Sequence, residues 1–163
     1  MALTEHNQVY QLAKQKAARY CSYQERTIAE VKNKLLSWGI TDPIQANKLI
    51  QALQAENFLD EQRYIAAFVQ GRFSIKKWGK RKIYYALLKK NIDQAAIQQG
   101  LQRIGETEYL ETIQQLVLQK KKSLATTEPA LAHKKIIHYL LQKGYELELI
   151  QQALQTNLTI HQA

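Results

Sequence analysis

One cysteine, Cys21, occurs in 163 residues. That excludes an intramolecular disulfide and any multi-cysteine metal site, and it suits a reducing compartment. Proline and glycine are nearly as scarce, at 2 and 6 residues, so little in the chain breaks regular structure. No apolar stretch approaches the ~20 residues of a membrane-spanning helix; Tyr64 to Val69 is six residues, two of them alanine. The start, Met-Ala-Leu-Thr-Glu-His-Asn-Gln, has neither the basic beginning nor the apolar centre of a secretory signal. A cytoplasmic protein without membrane contact is expected. A Gly-rich phosphate loop and a His-Glu-x-x-His helix are also missing, which argues against the common nucleotide and zinc enzymes. The expectation is a non-enzymatic protein that needs no cofactor or metal.

Several residues could suggest chemistry and have plainer readings. His6, His133, His138 and His161 are the only histidines, and His133 and His138 at i+5 do not share a helix face as i+4 metal ligands would. Asp60-Glu61 stands where a helix should begin, where acids complement the helix dipole. Cys21 adjoins Tyr20 and Ser22 with no sequence sign of a general base to activate it, and reads as a packing residue. Trp38, beside Gly39, fits a helix junction. Trp78, between Lys77 and Lys80, fits either a junction or an aromatic platform for bases.

What the chain does contain is helix-forming residues in a repeat. Ala, Leu, Gln, Lys and Ile dominate, most of them losing little entropy in a helix. Leu35-Leu36-Ser37-Trp38-Gly39-Ile40, Leu87-Leu88-Lys89-Lys90-Asn91-Ile92 and Leu140-Leu141-Gln142-Lys143-Gly144-Tyr145 share one pattern, spaced about 52 residues apart. Gly39, Asn91 and Gly144 mark the left-handed residue that ends a helix. Ser22-Tyr23-Gln24-Glu25 has capping-box spacing, so a helix is expected to begin near Ser22. Asp42-Pro43, Asp93 and Thr126-Thr127-Glu128-Pro129 read as further helix starts. These signals predict helices near 5–20, 23–38 and 43–56, then 60–76, 80–90 and 93–104, then 106–124, 128–143 and 146–156. The fold expected is all-α: three tandem three-helix repeats, 1–57, 58–105 and 106–163, stacked into an elongated, curved array because units this small bury little alone.

The formal net charge of +9 is not spread along the chain. Residues 1–61 and residues 93–163 each hold seven basic and seven acidic residues, whereas 62–92 holds nine basic residues and no acid. Within it Ile83, Tyr84, Leu87 and Leu88 form one apolar helix face, and Lys82, Tyr85 and Lys89 stand opposite, flanked by Arg81 and Lys90. Such a stripe can be no more than a solvated helix face, but those usually mix signs; a field of one sign fits a polyanion or an acidic protein surface. Arg72, Lys76, Lys77, Lys80, Arg81, Lys82, Tyr85 and Lys89 are the candidate binding cluster.

Phe58-Leu59-Asp60-Glu61-Gln62-Arg63-Tyr64, Phe68, Arg72, Trp78-Gly79, Lys82-Ile83, Leu87-Leu88 and Asn91-Ile92 resemble the signature of the RecX family, bacterial regulators of the RecA recombinase. Ala18-Arg19-Tyr20, Ser22, Glu30-Val31, Lys34-Leu35 and Gly39-Ile40 extend the resemblance into the first unit; it is weakest in the third. Asn91 replaces the usual glycine, and Gln62 falls in a motif generally more charged. The resemblance implies a three-repeat helical protein, without an active site, lying in the groove of the RecA–DNA filament and modulating filament growth, strand exchange and coprotease activity, usually as a brake. A free nucleic-acid-binding protein of helix-turn-helix type is the alternative. Weak, sequence-independent affinity for single-stranded DNA is compatible with both. No long apolar stripe remains unused after three units are packed, so a monomer is expected.

Overall fold

A computed structural model describes residues 2–160; His161 lies outside them. Among the described residues there are nine α-helices, one π-helical turn and no strand: α1 Ala2–Tyr23, α2 Ile28–Ser37, α3 Pro43–Ala55, α4 Glu61–Gln70, the π-turn Gly71–Ile75, α5 Lys80–Leu88, α6 Gln94–Leu101, α7 Glu106–Ser123, α8 Pro129–Gln142 and α9 Leu147–Ile160. The repeat shows directly in the backbone. Gly39, Asn91 and Gly144 have φ of 89°, 59° and 94°, and the apolar residue that follows each, Ile40, Ile92 or Tyr145, is buried. Leu35, Leu87 and Leu140, the first of each leucine pair, are fully buried. Asp42, Asp60, Asp93 and Glu128 accept hydrogen bonds from the first free amides of α3, α4, α6 and α8.

Two expectations at helix ends are corrected. Ser22 does not begin a helix: it lies inside α1, where its hydroxyl donates to the Ala18 carbonyl at 2.8 Å. Ala13, Ala17 and Cys21, spaced by four on the buried face, keep α1 winding past that point. The capping box forms five residues later. The Thr27 hydroxyl accepts from the Glu30 amide at 3.1 Å, and the Glu30 carboxylate accepts from the Thr27 amide at 2.8 Å. The segment 60–76 is not one continuous α-helix either, because Gly71–Ile75 widens to π geometry. In an α-helix each i+4 step drifts about 40° around the axis; under-winding offsets that drift and keeps Phe73 in the core below Ile65 and Val69.

Among the described residues there are two cores rather than three. Ala13, Ala17, Val31, Leu35, Leu49 and Leu53 belong to the first, which also takes in Cys21 and Leu59. Burial pushes the Cys21 thiol up, which leaves it an inert packing group. The second core runs without interruption from Ile65 on α4 to Leu154 on α9. Units of this size gain by merging, since a shared core removes the apolar surface that each would otherwise expose.

Candidate partner-binding face

The start of α5 carries the face, and its own sequence is a poor helix start. Gly79 supplies no side-chain cap, and Lys80, Arg81 and Lys82 put three positive charges at the positive end of the helix dipole. The missing partners come from the far end of the chain. The Gly79 amide donates to the Lys143 carbonyl at 2.7 Å, the Arg81 amide to the Gly144 carbonyl at 3.1 Å, and the Lys80 amide to the Tyr109 hydroxyl at 3.0 Å. The carbonyl end of α8 therefore docks on the amide end of α5, opposing dipole to dipole. Only glycines allow this approach, since a Cβ on Gly79 would run into the backbone of Gly144, and one on Gly144 into that of Lys82.

Buried aromatic residues brace the contact. The Tyr109 hydroxyl donates to the Glu146 carboxylate at 2.6 Å while accepting from Lys80. Burial, then the bond to Glu146, holds its ionisation far above the ordinary tyrosine range, so it remains a donor. Tyr145 is also buried and strongly raised by that burial. Its hydroxyl donates to the Lys77 carbonyl at 2.9 Å, and the Lys143 ammonium donates to the Lys76 carbonyl at 3.1 Å. These bonds secure the exit of the π-turn, where Lys77 adopts a φ of 55° that a long side chain seldom takes.

The structure brings the eight candidate residues into one region in different ways. Arg81 and Tyr85 on α5 and Lys89 just past its end are exposed, and Arg81 and Tyr85 form the ridge between two clefts. One cleft runs toward Gln98 of α6, Gln102 just past its end, and Glu146; the other, of about 600 Å3, runs between α5 and Leu141–Gly144. Arg72 and Lys82 are half-buried and sit over the Trp78 ring at 5.1 and 4.5 Å. Trp78 thus serves as a junction residue and as a platform for cations at once. Lys80 lies over the Tyr109 ring at 4.6 Å, whereas Lys76 and Lys77 contribute backbone carbonyls that anchor the third unit. Among the described residues the ion pairs are Lys14–Glu56, Arg63–Glu25 and Arg63–Asp60, so none of the eight is neutralised internally.

Sequence reasoning missed the contribution of the third unit. Burial first, then the charge of Lys82, lowers the pKa of Lys143. Its side chain also lies 5.6 Å from the Tyr139 ring, which Lys120 approaches at 4.7 Å. The unit's balanced total of charges hid this. A count by helix end would have found it, because α7 begins with Glu106, Glu108 and Glu111 and ends with Lys120, Lys121 and Lys122. No cluster of His, Cys, Asp and Glu able to hold a metal occurs among the described residues, and no helix among them is long and apolar enough to cross a membrane.

Comparison with known proteins gives the arrangement a family. Models of the first, second and third three-helix domains of RecX match residues 13–46, 60–101 and 106–154, in chain order. The chain belongs to the RecX family. It is 29% identical over 156 residues to "Regulatory protein RecX" of Clostridium acetobutylicum, covering 93% of this chain and 71% of that one. The protein of the same name from Bacillus licheniformis is 28% identical over 143 residues, covering 86% of this chain. This chain spans only about half of that relative, 53%. The RecX fold recurs in a crystal structure of RecX from Lactobacillus salivarius, with a TM-score of 0.85, 23% identity, and coverage of 92% of this chain and 97% of that one. A second crystal structure, of a regulatory protein RecX, gives a TM-score of 0.82 at 19% identity, over 94% and 75% of the two chains.

Proposed function

We propose that this RecX-family chain regulates a RecA recombinase without catalysing a reaction: it lies along the RecA–DNA filament and slows filament growth, ATP hydrolysis and coprotease activity. The relatives are named regulatory proteins, which supports regulation as the general role. The observation that carries the finer reading is the face of α5. Arg81, Tyr85 and Lys89 are exposed there, Arg72 and Lys82 lie over the neighbouring Trp78, and none of these or of Lys76, Lys77 and Lys80 makes an ion pair among the described residues, which supports the reading although Glu146 lines the adjoining cleft. Such a field attracts either acidic protein surface or the phosphates of filament-bound DNA, and the filament offers both. Units dividing near residues 57 and 105 would set successive contacts along the groove, in the cytoplasm and as a monomer.

The test is the single-stranded-DNA-dependent ATP hydrolysis of RecA from the same organism, with this protein titrated well below one molecule per RecA protomer. The rate should fall at those ratios. A variant carrying Lys76→Glu, Arg81→Glu and Lys89→Glu, three exposed positions, should lose most of that effect while keeping its helical circular dichroism. Full inhibition by the folded variant would remove the α5 face from the mechanism. No inhibition by the parent protein, beside firm binding to bare DNA, would favour the helix-turn-helix reading.

A further inference from the structure

A second basic groove lies in the third domain, between α7 and α8, with a volume of about 430 Å3. Lys120, Lys134, Lys135, His138, Tyr139 and Gln142 line it, and no acid is among them. The acids that balance the domain's total charge are placed elsewhere. Glu106, Glu108 and Glu111 begin α7, Glu128 is tied up capping α8, Glu146 is engaged by Tyr109, and Glu148 stands in the first turn of α9. From Glu111 to Lys120 the helix rises about 13 Å, more than the ~8 Å over which physiological salt screens exposed charges. The groove is therefore locally cationic inside a domain of zero sum.

It is also continuous with the α5 face. Arg72 and Lys82 sit over Trp78, Gln142 lines both this groove and the cleft beside α5, and Lys143 and Lys120 both approach Tyr139. Cations and rings alternate along this row across two domains. The ring contacts hold long side chains in place before any ligand arrives, which lowers the ordering cost of binding.

We propose that the α7–α8 groove binds the phosphodiester backbone of a single-stranded nucleic acid, as the continuation of a track that begins on α5. A small anion would use one end of such a row and leave the rest repelling. A strand with a charge at every nucleotide neutralises it throughout. Tyr85, 54% exposed on the ridge of α5, offers a ring face to unpaired bases, the usual companion of a basic groove in sequence-tolerant single-strand binding. This extends the reading of the α5 face, and its test omits RecA so that the two readings fail separately.

The experiment is fluorescence anisotropy of a labelled 25-nucleotide oligothymidylate with the full chain, repeated across a series of NaCl concentrations, for the parent and for Lys120→Gln, Lys134→Gln and Lys135→Gln combined. Each lost phosphate contact on a single strand lowers the salt slope by about 0.7, so the triple variant should be shallower by about two and bind at least about tenfold more weakly at low salt. An unchanged slope in the folded variant overturns the proposal. So does displacement of the oligonucleotide by polyglutamate at equal charge concentration, which would assign the groove to acidic protein, or tighter binding of a duplex of the same length. Should the variant fail to fold, acetylation footprinting of the parent decides: the oligonucleotide should protect Lys120, Lys134 and Lys135 and leave Lys16 and Lys48 reactive, and equal reactivity at all five would overturn it.

Discussion

The junction between the second and third RecX domains and the junction between the first and second are made of different chemistry. At the former, backbone amides of α5 donate to carbonyls at the end of α8, two glycines permit that approach, and buried Tyr109 and Tyr145 reach from the third domain to the second. At the latter Leu59 packs into the first core, and the other links are polar. Glu61 accepts from the Ile28 amide at 2.7 Å, and Arg63 pairs with Glu25 at 2.9 Å. One junction lies within a continuous core; the other separates two cores. The candidate binding face stands on the rigid side. Its orientation is thus fixed by residues some sixty positions away, while beyond Leu59 the first domain is held to it by contacts that water and salt weaken.

The sharpest way to break this contrast is Gly144→Ala. The new Cβ collides with the backbone of Lys82, and the φ of 94° is strained for alanine. Neither fault relaxes without parting α8 from α5. The expected cost is about 3 kcal/mol or more, as for other forced backbone displacements. In urea unfolding followed by circular dichroism, the transition of the joined second and third domains should move to lower urea and that of the first should stay in place. A shift no larger than that of an ordinary surface substitution would show that the junction is not the close weld described above.

A smaller change, Tyr109→Phe, keeps the ring and removes the hydroxyl. The Lys80 amide loses its acceptor and the Glu146 carboxylate its donor, at an expected cost of about 1–3 kcal/mol. The same tyrosine makes a pH test possible. Its folded pKa is raised, so its contribution is complete below the unfolded value of about 10 and is lost as pH rises above that, while the unfolded chain releases a proton that the folded one retains. Tyr145 behaves alike. Stability of the joined domains should fall above pH ~10 by about 1.4 kcal/mol per unit for each of the two, and Tyr109→Phe should remove one such increment. An identical decline in the variant would detach Tyr109 from the alkaline transition.

These residues also mark the limit of what the sequence discloses. Helix content, the repeat, and the turns at Gly39, Asn91 and Gly144 were legible because each depends on local periodicity or on a residue's own φ preference. Ser22 misled because two capping boxes lie five residues apart, and the choice between them rests on whether Cys21 is buried, a tertiary matter. The π-turn left no local mark. On α5 the cluster of charge was plain, yet its support was not: the helix takes its caps from Tyr109, Lys143 and Gly144, so nothing near Lys80 reports them. The basic groove of the third domain was hidden by arithmetic, since its six lysines and six glutamates cancel in number although three of each stand at opposite ends of α7.

The weaker junction predicts the smallest effect and the most specific one. In Arg63→Ala the pair with Glu25 and the bond to the Asn57 carbonyl disappear. Arg63 and Glu25 are 41% and 36% exposed, so solvent already screens the attraction and the cost should be only about 0.2–1 kcal/mol. What should change is the freedom of the first domain. Small-angle scattering of the parent protein in low and in high NaCl should show the particle broadening its distance distribution as salt screens this junction, and Arg63→Ala should show the broader form at low salt already. Gly144 and Tyr109 variants, while folded, should not reproduce that behaviour, because their junction does not depend on exposed charge. If Arg63→Ala instead costs more than about 2 kcal/mol, or if all three domains unfold in one transition, the first domain is as firmly joined as the third, and the face on α5 would have to meet its partner on a body that does not bend.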